Sequence, residues 1–71
     1  MAIIKKVEIK EEFISLGQFL KIVDLISSGG EAKAFLMSNT VLINHEPDHR
    51  RGKKLYKNDL IEIASETYQI C

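Results

Sequence analysis

The chain has 71 residues, of which 45% are apolar and 28% charged, and this composition predicts one small soluble domain with a single core. A fold of this size has little space for a pocket that buries most of a small substrate, so an enzyme is disfavoured. Ten basic residues balance ten acidic ones, and this formal net charge of zero argues at first against a nucleic-acid-binding protein.

Other global features indicate where the protein works. A lone cysteine, Cys71, has no partner for an internal disulfide, which fits a reducing cytoplasm. No apolar stretch approaches the roughly 20 residues that span a bilayer. The N-terminus alternates into charge too early for a signal peptide. We therefore expect a complete small cytoplasmic protein, or a very short module, with no membrane contact.

The first part of the chain predicts an edge strand followed by two helices. Residues 3–9 are rich in Ile and Val, and a charged connector follows at 10–14. Ser15 and Gln18 have the spacing of a capping box, and the apolar periodicity behind them predicts a helix over 16–27. A second box, Ser28 with Glu31, predicts a helix over 29–38 that ends in a left-handed cap at Asn39.

The last 31 residues predict β structure. Strands are expected at 41–43, 60–64 and 67–70, with turns at 44–47, 57–59 and 65–66. Residues 48–54 are expected to form a basic loop or an irregular strand, and the pair 55–56 leads from it into the next turn. Asn58 suits a positive φ in the second of these turns. Phe13, Phe19 and Phe35 are interpreted as core, whereas Tyr56 has two readings, packing or stacking on a base. The fold class is α+β: a helical hairpin on a small, mostly antiparallel sheet, as a single domain over 1–71.

The charges are unevenly distributed, which weakens the first argument against nucleic acid. Residues 1–44 sum to zero, 45–57 carry five basic residues against two acidic ones (+3), and 58–71 carry three acidic residues (−3). Four of the ten basic residues lie in the basic loop, as Arg50, Arg51, Lys53 and Lys54. Because salt screens each charge beyond about 8–10 Å, such a patch attracts phosphates even in a neutral protein.

Two alternatives remain at this point. The basic loop is also consistent with a merely solvated surface segment. Two helices joined by a tight turn also suit a DNA-reading helix-turn-helix, but the second helix offers only Lys33 as a long basic side chain.

Four motifs in order resemble the S4 domain family of RNA-binding modules. The family pattern is R-L-D-x-x-L, S-R-x-x-A, G-x-V-x-V-N-G and G-D-x-I-x-V. The chain matches both leucines of the first motif at 15–20 and the Ser and Ala of the second at 28–32. It matches the Val and Asn of the third motif at 39–45, and the fourth in spacing and residue type at 58–63. Together the matches cover residues 14–64. Segments 16–21, 28–30 and 50–54 resemble especially the small free-standing bacterial S4-domain proteins of the YaaA/YbcJ type.

The sequence departs from the family pattern at several positions. The arginines that begin the two family helices are Ser15 and Gly29 here, so two phosphate contacts are missing. The glycines of the strand motifs become Asn39 and Asn58, which still tolerate left-handed geometry. His45 stands where the family has a glycine, which predicts a tight turn.

The resemblance implies a helical hairpin of the αL type and binding to structured RNA, with ribosomal RNA as the expected target, by charge and shape. It assigns phosphate contacts to Arg50, Arg51, Lys53 and Lys54, with Lys33, Lys21 and Asn44 as further candidates. For Asn44 a role in its own turn is the stronger interpretation. Possible partners also include the ribosome or its assembly proteins, and we expect a monomer without cofactor. The alternative is a protein–protein adaptor on the ribosome that uses the acidic C-terminal strands.

No other constellation predicts chemistry. His45, His49 and Cys71 lack the paired spacing of a zinc site. Asp48 and His49 are neighbours in a loop and do not form a convincing catalytic pair. The free N–H groups at the start of the second helix could bind a phosphate, but the negative charge of Glu31 beside them would repel it and favours helix capping.

Overall fold

The computed structural model describes residues 3–71, so Met1 and Ala2 of the predicted domain lie outside the described residues. Its elements are β1 Ile4–Val7, β2 Phe13–Ser15, α1 Leu16–Ile22, α2 Glu31–Ser38, β3 Val41–Ile43, β4 Glu46–Pro47, β5 Lys54–Tyr56, β6 Leu60–Ile63 and β7 Glu66–Ile70. Two short helices with mixed sheets confirm the α+β class. The αL hairpin arrangement of the helices stays a prediction.

The strands form two sheets. The larger sheet has the order β1-β7-β6-β3-β4, in which β1 runs parallel to β7 and the other pairs are antiparallel. The predicted first strand therefore lies at an edge, as expected. The smaller sheet is an antiparallel ribbon of β2 and β5, in which Ile14 pairs with Leu55. Strand β2 was not predicted, because residues 10–14 were interpreted as a connector.

Two hairpins of the large sheet close with two-residue turns. Asn44 and His45 have φ of 52° and 72°, and Ala64 and Ser65 have φ of 49° and 70°. Two successive positive φ values are typical of the type I′ turn that suits the twist of paired strands. His45 therefore adopts the left-handed conformation itself. The second turn lies one residue before its predicted position.

Alternation along the strands builds the core. Val41, Ile43, Ile61 and Ile63 are buried, whereas the residues between them are only half-buried, so one face of the large sheet is covered. Helix α1 packs against that face: the Phe19 ring meets the Tyr68 ring edge-to-face at 5.3 Å between centroids. No helix within residues 3–71 is long and apolar enough to cross a membrane.

Helix α1 ends five residues earlier than its apolar periodicity predicts. Asp24 takes a left-handed φ of 61°; its N–H donates to the Lys21 carbonyl, and the Leu25 N–H donates to the Leu20 carbonyl. This pair of bonds is the Schellman ending of a helix, here with Asp24 in the position that usually holds glycine. Ile26 is still buried, but from the connecting segment rather than from the helix.

The predicted caps of the helices differ in outcome. At α1 the capping box is present in both directions, between Ser15 and Gln18. At α2 only half of the predicted box forms: the Glu31 carboxylate accepts the Ser28 N–H, but the N-cap is Gly30 without a side-chain bond. The predicted left-handed cap at Asn39 is wrong, since Asn39 is extended with φ −131°, and its side-chain amide donates to the Phe35 carbonyl instead.

Candidate nucleic-acid interface

The basic loop, residues 48–54, docks on the first turn of α1. The Leu16 N–H donates to the Lys53 carbonyl at 2.8 Å, and the Gly17 N–H donates to the Arg51 carbonyl at 2.9 Å. The N–H groups of a first helical turn have no partner within the helix, so the loop carbonyls satisfy two of them. A further bond from the Lys53 N–H to the Arg50 carbonyl closes the loop on itself. The loop backbone is thereby held against the helix.

Gly17 allows this docking. A Cβ built on Gly17 would lie 3.4 Å from the Arg51 carbonyl oxygen and 3.6 Å from the Ala32 Cβ of α2. The first turn of α1, the start of α2 and the basic loop therefore converge at one small residue. An added Cβ would already be in van der Waals contact with both segments, so the packing leaves little room beyond a methyl group.

Asp48 orients the side chain of Arg50. The Asp48 carboxylate accepts the Arg50 Nε–H at 3.2 Å and the Nη2–H at 2.8 Å, and it also accepts the Arg50 backbone N–H at 2.8 Å. These hydrogen bonds hold the pKa of Asp48 at about 2, below its ordinary 3.8. Asp48 itself is anchored by its N–H to the Val41 carbonyl. Arg50 is thus a paired cation with two of its donors engaged.

Lys21 and Arg51 line one open groove. The groove has a volume of about 460 Å³ and lies where α1, the start of α2 and the basic loop meet; its lining comprises Ser15, Gly17, Gln18, Lys21, Gly29, Ala32, Arg51 and Gly52. Arg51 is exposed, and in residues 3–71 no carboxylate lies within ion-pair distance of either cation. The groove therefore presents two free positive charges from segments that are distant in the sequence.

A second hollow, of about 420 Å³, adjoins the first at Gly52. It is lined by Arg50, Gly52, Lys53, Lys54 and Tyr56. Lys53 and Lys54 have no carboxylate within ion-pair distance among the described residues. The four basic residues predicted to contact phosphates thus face two neighbouring hollows.

Lys33 and Asn44 lie apart from this arrangement. Lys33 is exposed on α2 but is absent from the lining of both hollows. The Asn44 side chain donates to the Asp59 carboxylate at 3.1 Å and accepts the Leu60 N–H at 3.1 Å. Both ends of its amide are used in joining two turns, which is the turn role that the sequence favoured.

The start of α2 uses its free amides internally. The Glu31 carboxylate accepts the N–H groups of Ser27 and Ser28, and these bonds lower the pKa of Glu31. The Glu31 and Ala32 N–H groups bond to the carbonyls of Ser28 and Gly29. This geometry is plain capping.

Sequence reasoning missed the placement of three residues in or beside this interface. Phe13, predicted to be core, is 38% exposed because it alternates with the buried Ile14 on β2. Asp48 was considered as a charge and as a neighbour of His49, but not as a partner of Arg50, although its place two residues before Arg50 is typical of an Asx turn. For Gly17, nothing in the local pattern indicated a contact with the basic loop. Among residues 3–71 no group of three or more His, Cys, Asp or Glu side chains is placed to hold a metal ion.

Comparison with known proteins gives two matches. The family model of the S4 domain matches residues 7–71 of the chain. A protein of Bacillus subtilis (strain 168) described as "Probable ribosome maturation protein RlbA" is 58% identical over 57 residues, which cover 80% of this chain and 80% of that protein. The family match includes α1, α2, the basic loop and all the strands after β1.

Proposed function

The chain belongs to the S4 domain family, and we propose that it binds structured RNA through the two hollows around the basic loop. One observation carries this proposal: the carbonyls of Arg51 and Lys53 cap α1, so the Arg51 side chain shares a groove with Lys21. A cation held on a fixed backbone loses less entropy on meeting a phosphate than one on a free loop. This mode recognises the shape and backbone of the RNA.

Ribosomal RNA is the RNA that we propose, and maturation of the ribosome is the proposed process. The support is the similarity to a protein described as a probable ribosome maturation protein. We further propose that the chain acts in the cytoplasm as a monomer, by binding and without catalysis. Lys33 is a peripheral contact in this proposal, and Asn44 contributes through its turn.

The adaptor alternative has less support from the structure. The acidic C-terminal segment contains Asp59, Glu62 and Glu66, and each of these carboxylates already has an internal partner. Asp59 accepts from Asn44 and from the Tyr56 N–H, Glu62 lies 3.0 Å from His45, and Glu66 lies 3.0 Å from Lys5. A partner protein would have to displace these contacts to use the charges.

A salt-dependent titration tests the proposal. A structured fragment of ribosomal RNA is titrated with the protein and with Arg51→Gln and Lys21→Gln, at several salt concentrations. We expect each substitution to weaken binding and to reduce the slope of log affinity against log salt by about one phosphate contact. Since Arg51 caps α1 through its main chain, its side chain can be changed without loss of the cap.

Lys6→Gln is the matched control, because Lys6 is exposed on β1, outside both hollows, and carries the same charge. Equal effects of Lys6→Gln and Arg51→Gln would mean that binding follows net charge alone, and the proposed interface would be wrong. Absence of binding at low salt would contradict RNA binding itself.

A further inference from the structure

The outer face of the β2–β5 ribbon carries two exposed aromatic rings. Ile14 and Leu55 are paired and buried, so alternation places their neighbours Phe13 and Tyr56 on the opposite face. Phe13 is 38% exposed and Tyr56 is 44% exposed. The other aromatic residues of the described chain are buried or half-buried.

The two rings contact each other at a tilt, and a cation lies beside them. Their centroids are 5.6 Å apart at an interplanar angle of 50°, and the Lys54 Nζ lies 4.8 Å from the centroid of the Phe13 ring. A cross-strand aromatic pair stabilises a ribbon, and this contact alone explains why the rings touch. The pairing leaves the Tyr56 ring exposed at the second hollow, which Tyr56 lines together with Arg50, Lys53 and Lys54.

The chemistry of the hollow identifies its occupant. An open space of about 420 Å³ that is walled by one aromatic ring and by basic side chains suits a group that is flat, apolar on its faces and attached to a phosphate. A nucleotide whose base is unpaired has these properties, because its base exposes a π-face that a paired and stacked base conceals.

We propose that Tyr56, supported by Phe13, stacks on an unpaired base of the bound RNA while Lys53 and Lys54 hold the adjoining phosphates. The inference rests on the proposed RNA binding and adds a specificity to it. The protein selects a helix interrupted by an unpaired nucleotide, with the helical backbone in the groove of Lys21 and Arg51. Stacking tolerates any base, so the selection concerns structure and not sequence.

The geometry keeps Tyr56 in position for this contact. Its backbone N–H donates to the Asp59 carboxylate at 2.8 Å, and its strand pairs residue by residue with β2, Phe13 opposite Tyr56. The ring is therefore presented by a short ribbon whose other face is part of the core.

The test compares two RNA hairpins with the same stem, one fully paired and one with a single bulged 2-aminopurine nucleotide. We expect the protein to bind the bulged hairpin more tightly and to quench its 2-aminopurine fluorescence. Tyr56→Thr, which keeps a strand-forming residue, is expected to weaken binding to the bulged hairpin by about 5- to 100-fold, the effect of removing one stacked ring. The loss of affinity should be smaller for the paired hairpin, and the salt slope should stay the same because Tyr56 carries no charge. Tyr56→Phe should bind as the unaltered protein does.

Arg51→Gln distinguishes RNA binding through the backbone from stacking on an unpaired base. It should weaken binding to both hairpins by the same factor, since it removes a backbone contact. Equal affinity of the unaltered protein for both hairpins, or unchanged 2-aminopurine fluorescence on binding, would overturn the stacking inference and leave RNA binding intact. Failure to bind either hairpin would overturn both. The fluorescence readout uses the unaltered protein, so it holds even if Tyr56→Thr does not fold.

Discussion

Replacing Asp48 by Asn removes the charge that pairs with Arg50 while keeping an acceptor for the Arg50 backbone N–H. Asn can form the same Asx turn as Asp, so the shape of the basic loop is preserved and only the ionic part of the contact is lost. The substitution therefore measures how much the ion pair stabilises the docked loop.

The magnitude follows from the pKa of Asp48, which is about 2 in the folded protein against an ordinary 3.8. At about 1.36 kcal/mol per pKa unit, the Asp48 charge contributes at most about 2.5 kcal/mol to the free energy of unfolding. The Arg50 side chain is 72% exposed, and solvent screening of its charge reduces the expected loss to about 1 kcal/mol. For a domain of this size, that loss lowers Tm by about 4–8 °C.

The pH dependence has a definite sign. Because folding lowers the pKa of the Asp48 carboxyl, its contribution is complete above the unfolded value near 3.8 and disappears as the pH falls through about 2. The difference in free energy of unfolding between Asp48→Asn and the unaltered protein should be about 1 kcal/mol at pH 7 and should shrink towards zero between about pH 4 and 2. Urea unfolding followed by circular dichroism measures this difference.

Glu46→Gln is the control, because Glu46 is exposed on β4 and has no ion-pair partner among residues 3–71. It changes the net charge by the same amount and should alter stability by less than about 0.5 kcal/mol. If Asp48→Asn is no more destabilising than Glu46→Gln, or if its deficit is the same at pH 2.5 and pH 7, the ion pair does not hold the loop as argued.

Three further substitutions have expected outcomes. Asp24→Gly should raise the free energy of unfolding by about 0.5–1 kcal/mol, because glycine removes the strain of φ 61° and the negative charge at a helix C-terminus; a lower Tm would contradict the Schellman ending. Gly52→Ala should change the free energy of unfolding by less than about 0.5 kcal/mol, since no atom lies within 4 Å of the added Cβ. It should nevertheless weaken RNA binding, because Gly52 lines both hollows. Unchanged affinity in a titration would mean that the RNA does not approach Gly52. Asn44→Gly should lower the free energy of unfolding by about 1–2 kcal/mol, measured by chemical denaturation, through loss of the hydrogen bonds to Asp59 and Leu60. Glycine accepts φ 52° without strain, so the substitution changes these bonds and not the turn conformation. An unchanged free energy of unfolding would mean that other contacts join the two turns.

Local features of the sequence determined the class of fold and the position of its charge. The spacing of Ser15 and Gln18 predicted the cap that begins α1. Apolar runs bounded by turn signals predicted β3 and β7, and the alternation of Ile61 and Ile63 predicted the buried face of β6. Asn58, expected to accept a positive φ, has φ 79°. These features depend on contacts between residues close in the chain, so a periodic pattern contains enough information to predict them.

The tertiary structure decided the interface. The apolar period continued past Ile22, but the left-handed Asp24 ended α1, and Phe13 turned outward because Ile14 pairs with Leu55 across the ribbon. The groove exists because the Gly17 N–H meets the Arg51 carbonyl. Hydrogen bonds between distant segments leave no period in the sequence. The sequence alone therefore determined which residues are basic, and only the packing of the loop on α1 decided which of them share a groove.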